Sequence, residues 1–142
     1  MAERPTPPPW GALLTKALAK ARLSAREAAR RAGISEGRWR QIASGYQVVS
    51  AGVYAPVHGP APTVARMAAV AGVTPAQLRR AGRPDAATAL AKADADSRHE
   101  LLQRVRDMNP DQARELLATI AMQLGVRLPA EDVAVRESRF GT

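Results

Sequence analysis

The sequence predicts an all-α protein: five short helices, with an inserted loop or short β-hairpin between the third and fourth, followed by a C-terminal helical hairpin. Three observations lead there. Thirty of the 142 residues are Ala, whereas Leu, Ile, Val and Phe together number 27, or 19%. Ala is the best helix former, so this composition favours short helices packed closely through small side chains over a sheet. Apolar residues also recur at helical spacing in several separate windows, and capping residues and glycines punctuate those windows.

Taken in order, residues 1–9 carry Pro5, Pro7, Pro8 and Pro9 and read as a disordered, extended arm. The first helix is expected from Pro9 or Trp10 to Ala21. Its stripe is Trp10, Leu13, Leu14, Ala17, Leu18 and Ala21, with Lys16, Lys20 and Arg22 off it. Leu23-Ser24 interrupts the pattern. Ser24 and Glu27 have the spacing of a capping box, so a second helix starts at Ala25 and ends at Gly33. Ser35 caps a third helix over 36–44, and Gly45 stops it. Residues 46–62 differ in character. Val48, Val49, Val53, Tyr54 and Val57 are strand-prone, while Ser50-Ala51-Gly52 and His58-Gly59-Pro60 mark turns. This segment is a short hairpin or an ordered loop, and its apolar residues cover the fifth helix or meet a partner.

A fourth helix is expected over 63–71, ended by Gly72. Thr74-Pro75-Ala76-Gln77 then combines an N-cap, Pro at the first position and Gln at the third, starting a fifth helix that reaches about Ala81. Gly82-Arg83-Pro84 closes a domain over 10–84. Residues 85–97 are Ala-rich and read as a helical linker. Over 98–128, Leu101, Leu102, Val105 and Met108 form one stripe, and Leu116, Leu117, Ile120, Ala121 and Leu124 another. Asn109-Pro110-Asp111-Gln112 separates them as stop and cap, giving an α-helical hairpin. Residues 129–142 read as a flexible tail.

Composition narrows the chemistry. There is no Cys, which excludes disulfides, Cys-based zinc sites and thiol catalysis. His58 and His99 lack metal-ligand spacing, and no cofactor or metal site is expected. No nucleophile–base pair, phosphate loop or paired-carboxylate site stands out, so an enzyme is not expected; the acidic residues at 94–115 read as solvated helix faces. No apolar run approaches the roughly 18 residues of a membrane span, and no secretory signal is visible. The expected location is the cytoplasm, in association with the nucleoid when DNA is bound. The formal charge of +8 is unevenly placed: residues 1–86 carry 13 Lys+Arg against 4 Asp+Glu, and residues 87–142 carry 8 against 9. A basic N-terminal part beside a near-neutral C-terminal part points to a polyanionic partner for the first alone. Of the 21 basic residues 18 are Arg, whose planar fork suits phosphate and guanine.

Two helices of about eight residues joined by a short glycine-containing turn form a helix-turn-helix. In the stretch Leu23-Ser24-Ala25-Arg26-Glu27-Ala28-Ala29-Arg30-Arg31-Ala32-Gly33-Ile34-Ser35-Glu36-Gly37-Arg38-Trp39-Arg40-Gln41-Ile42-Ala43-Ser44-Gly45, the small Ala29, the turn Gly33, and apolar Ile34, Trp39 and Ile42 resemble the lambda-repressor-like (Cro/Xre, phage-repressor type) DNA-binding family. The fourth helix, Gly72-Val73, Thr74-Pro75 and the fifth helix look like the last two helices of that five-helix fold, so the resemblance covers about residues 10–82.

The helix over 36–44 supplies an independent geometric reason. At about 100° per residue, Glu36, Gly37, Arg40, Gln41 and Ser44 fall within an arc of about 140°, with Trp39 and Ile42 opposite. One face packs and the other is polar and free to enter a major groove. Gln41 has the groups to read adenine, Arg40 to take guanine or phosphate, and Glu36 to accept from cytosine, although Glu36 and Arg40 are also spaced to pair with each other. Ser35 and Ser44 are placed for phosphates, and Arg38 for phosphate or solvent. Gly37 either lets the backbone approach DNA or marks an unused position. The resemblance implies that the positions of Glu36, Gly37 and Gln41 face base edges. Ala25 stands where many members carry a phosphate-binding Gln, and Arg26 beside it is the candidate substitute.

The expected function is therefore a sequence-specific regulator of transcription, a repressor, bound to double-stranded DNA. The stripes of the C-terminal hairpin need burial, and pairing with a second copy supplies it while giving two half-sites a two-fold reader. The alternative is a protein-interaction adaptor or antitoxin component that uses the helix-turn-helix domain, the 46–62 segment or the hairpin to bind a protein partner.

Overall fold

Helices begin in this chain where a side chain or a proline relieves the unbonded amides of a first turn, and most end where a glycine turns left-handed. In the computed structural model, which describes residues 3–125, α1 spans Pro9–Lys20 with proline in its first turn. α2 spans Ala25–Ala32, capped by Ser24, whose hydroxyl accepts from the Glu27 amide at 3.1 Å. α3 spans Glu36–Ser44, capped by Ser35 through the Arg38 amide at 3.1 Å. Gly33 and Gly45 end these two helices at φ 73° and 81°. β1 (Tyr46–Ser50) and β2 (Val53–Pro56) pair antiparallel around Ala51-Gly52. α4 (Ala61–Ala71), α5 (Pro75–Arg80), α6 (Pro84–Asp107) and α7 (Pro110–Leu124) complete the described chain, which is predominantly helical.

The structure moves several expected boundaries. The arm is not free throughout: a β-carbon at Gly45 would lie 2.7 Å from Cδ of Pro8, so the proline that caps α1 rests on the end of α3. Gly11, one turn later, is packed so closely on the Ala43 carbonyl that no side chain fits. α4 begins at Ala61, two residues early, because Pro62 suits a helical first turn as well as a turn outside one. The Ser24 capping box is only half made, since the Glu27 carboxylate turns to Arg30 and Arg31 instead of the Ser24 amide. The reciprocal box is at Thr74 and Gln77, with bonds of 3.2 and 2.9 Å.

The domain boundary also moves. The chain divides into two compact units, one ending at Asp96 and the other beginning at Ser97. Residues 85–96, expected as part of a helical linker, lie in α6 and in the first unit, and Ser97 begins the second. Ala86, Ala87 and Leu90 are buried with Trp10, Leu14, Leu18, Trp39, Ile42, Val64, Met67 and Leu78 in one core. Small residues make the close contacts: α2 packs on α4, burying Ala28, Ala29 and Ala32 on one side and Ala65, Ala68 and Ala71 on the other.

Arg83 is the buried cation of this unit, 2% exposed. Its guanidinium donates to both carboxylate oxygens of Asp85 at 3.0 Å and to the Gly59 carbonyl at 2.7 Å, and it lies 4.8 Å from the ring centroid of Trp10. It thereby ties the β2–α4 connection to α1 and to the start of α6. In the second unit, Ala121 is the one buried residue among those described, and Leu101, Leu102, Leu117, Ile120, Met122 and Leu124 are exposed. Residues 126–128 of the expected hairpin and the expected tail over 129–142 lie outside the described residues.

Candidate nucleic-acid interface

The turn Gly33-Ile34-Ser35 sets α2 and α3 against each other, with the Ile34 amide donating to the Ala29 carbonyl at 3.0 Å to lock the reversal. α3 buries Trp39, Ile42 and Ala43 against the core. That packing fixes its rotation. Gly37 and Arg40 are left in solvent, while Glu36, Arg38, Gln41 and Ser44 are half-buried along its edges. Arg26 stands on the first turn of α2, exposed. A shallow cleft of about 420 Å³ between the starts of the two helices is lined by Ser24, Arg26, Glu27, Arg30, Ile34 and Glu36. The structure therefore brings Arg26 together with the first turn of α3, which carries Ser35, Glu36, Gly37 and Arg38.

Not every cation on this surface is free. Glu27 accepts from Arg30 at 2.5 and 3.0 Å and from Arg31 at 3.2 Å. The Arg30 hydrogen bonds, and then the one from Arg31, hold the Glu27 carboxyl below its ordinary 4.5, at about 2. Arg40 donates to Glu36 at 2.6 Å, so the i,i+4 pairing open to these residues is made. An exposed pair of this kind contributes roughly 0.2–0.5 kcal/mol and breaks readily for a stronger acceptor. Arg26 and Arg38 have no acidic partner among the described residues.

Ser44, expected to meet phosphate, is engaged by the backbone. Its hydroxyl donates to the backbone carbonyls of Gln41 and Tyr46, both at 3.2 Å, at the C-terminal and negative end of α3. Its one proton is shared between these two carbonyls, the groups a phosphate would have to displace. Ser35, in contrast, uses only an oxygen lone pair on the Arg38 amide and keeps its proton.

Beyond α3 the surface changes from charged to apolar. No charged residue occurs between Arg40 and Arg66. In the hairpin Val48 pairs with Tyr54 and Tyr46 with Pro56, Val49 falls at the irregularity before Ser50, and the Tyr46 and Tyr54 rings meet edge to face at 5.2 Å. Val48 (65%), Val49 (63%) and Val53 stand in solvent and do not cover α5; Val57 alone of the strand-prone residues beyond the tyrosines packs on the core. Glu27, whose carboxylate neutralises part of the α2 surface, was legible only as a capping residue. Its i+3 and i+4 spacing to Arg30 and Arg31 was the signal for the second role.

No helix among the described residues is long and apolar enough to cross a membrane. Comparison of the chain with protein-family models, curated proteins and solved structures finds no match.

Proposed function

We propose that this protein is a sequence-specific double-stranded DNA-binding regulator of the lambda-repressor-like type, a repressor, that reads the major groove with α3. The observation that carries this reading is α3 itself: a capped helix, held by Trp39 and Ile42 on one side, whose other side presents Gly37 and Arg40 in solvent with Glu36 and Gln41 half-exposed beside them. Arg26, Arg38 and the Ser35 hydroxyl flank it as phosphate contacts, and Gln41 and Arg40 carry base readout, with Arg40 exchanging Glu36 for guanine or phosphate. The strongly basic composition up to residue 86 supplies the sequence-independent attraction.

Two copies joined through the second unit would present two such helices. The apolar side chains of that unit support this, since among its described residues Ala121 alone is buried and the stripes of its two helices stand largely in solvent. Selection of bound duplexes from random DNA tests the whole reading. A preferred inverted repeat, with affinity falling steeply as salt rises, is the expected result; recovery of no preferred sequence overturns it.

A second reading, a protein-interaction adaptor or antitoxin component, is favoured by one specific feature, the uncharged hairpin with Val48, Val49 and Val53 in solvent. Purification from native cells with a stoichiometric protein partner and without DNA would select it.

A further inference from the structure

Seven described residues have positive φ: six are glycines and the seventh is Arg22, at φ 54°. The reversals after α2, α4 and α5 share one backbone device. The amide following the left-handed residue donates back across the turn, Ile34 to Ala29 at 3.0 Å, Val73 to Ala68 at 2.9 Å and Arg83 to Leu78 at 2.9 Å, and Gly33, Gly72 and Gly82 take the left-handed conformation. The end of α1 has the same device, with the Leu23 amide donating to Leu18 at 3.0 Å and the Arg22 amide to Ala19 at 3.2 Å, yet an arginine occupies the left-handed position. A residue with a β-carbon there costs roughly 5- to 30-fold in the folding equilibrium relative to an unstrained one. The side chain gives nothing visible in return: it is exposed and has no hydrogen bond or ion pair among the described residues.

What Arg22 does supply is charge at a chosen place. It precedes Ser24, the cap of α2, by two residues, and Arg26 follows Ser24 by two. Arg30 and Arg31 further along α2 are tied to Glu27, so Arg22 and Arg26 are the uncommitted cations at the entry to the helix-turn-helix. Residues held in such conformations cluster at binding and active sites. We infer that Arg22 is a DNA phosphate contact, and that its left-handed backbone is retained because glycine, which suits the turn, carries no charge. This inference rests on the DNA-binding reading above and adds a contact to it.

Three variants of the full chain test it: Arg22→Gly, Arg22→Gln and Arg22→Lys, each measured for thermal midpoint and for affinity to a mixed-sequence DNA duplex across a salt series. Arg22→Gly should raise the midpoint by roughly 2–5 °C while weakening binding about 5- to 10-fold and reducing the slope of log affinity against log salt by about one. Arg22→Gln keeps the strain and loses the charge, so it should bind as weakly as the glycine variant without the gain in midpoint. Arg22→Lys should keep the wild-type salt slope. Wild-type affinity and slope in Arg22→Gly and Arg22→Gln would overturn the inference while leaving the DNA-binding reading intact. Absence of salt-dependent binding by the wild type would overturn both.

Discussion

A β-carbon added at Gly37 meets nothing within 4 Å, whereas one added at Gly11 meets the backbone of Ala43. The two glycines are thus present for different reasons. Gly37→Ala should stabilise the protein by about 0.5–1 kcal/mol in denaturant titration, because alanine is the better residue inside a helix. If the backbone of α3 approaches DNA closely, the same variant should lose affinity, and the two measurements together separate fold from binding. Gly11→Ala should destabilise by about 2–3 kcal/mol or more, as the α1–α3 contact must open. Arg83 is a third case. Arg83→Met leaves the Gly59 carbonyl and Asp85 without their donor and should cost about 2–4 kcal/mol in the same titration. Of these residues, Gly37 was legible in the sequence and the other two were not. Gly11 has its partner 32 positions away and Arg83 has one 24 positions away, and no local spacing encodes such pairs.

The helix ends were the most legible elements, because each is set by chemistry within a few residues of itself. Ser24, Ser35 and Thr74 each cap the helix expected of them, and Gly33, Gly45, Gly72 and Gly125 each stand left-handed after one. Ser35→Ala should therefore lower stability by about 1 kcal/mol through the lost cap, and should weaken DNA binding beyond that if the hydroxyl also donates to a phosphate. Comparing stability with affinity for this variant distinguishes the roles. Elements are least legible where one residue serves two functions. Gly82-Arg83-Pro84 reads as a terminator, yet Gly82 ends α5 while Pro84 opens α6 as a first-turn proline. The Ala-rich start of α6 shows little periodicity because Ala86 and Ala87 are buried without being large. Ser44 lies on the outer arc of α3 but at its carbonyl end, where the turn into β1 brings a further backbone acceptor to its hydroxyl.

For the whole molecule, acid should act through two carboxylates. Arg30 and Arg31 hold Glu27 at about 2, and the Arg83 hydrogen bonds hold Asp85 below its ordinary 3.8, also at about 2. Both ionise more readily folded than unfolded, so their stabilisation is complete above the ordinary values of 4.5 and 3.8 and is lost as pH falls from there towards about 2. The thermal midpoint should fall across that window, and Asp85→Asn should lower it at neutral pH while reducing the acid dependence. Assembly is the second property at this scale. The exposed Leu117 and Ile120 belong to a unit with one buried residue among those described, so Leu117→Glu should convert a dimer of the full chain to monomer in sedimentation equilibrium, with loss of affinity for an inverted repeat larger than for a single half-site. A monomeric wild type would remove the pairing from the proposed function.

The alanine seam between α2 and α4 sets how this protein tolerates sequence change. Most cores are hurt by truncation, since a large side chain removed leaves a void. Here Ala28, Ala29, Ala65 and Ala68 are buried with almost nothing left to truncate, on two helices that pack on each other. Enlargement is the injurious direction: a leucine at any of these positions must push apart the pair of helices that sets the angle of α3. A saturation library would accordingly show a tolerance profile governed by volume, with serine and glycine survivable and the branched aliphatics, conservative by hydropathy, eliminated.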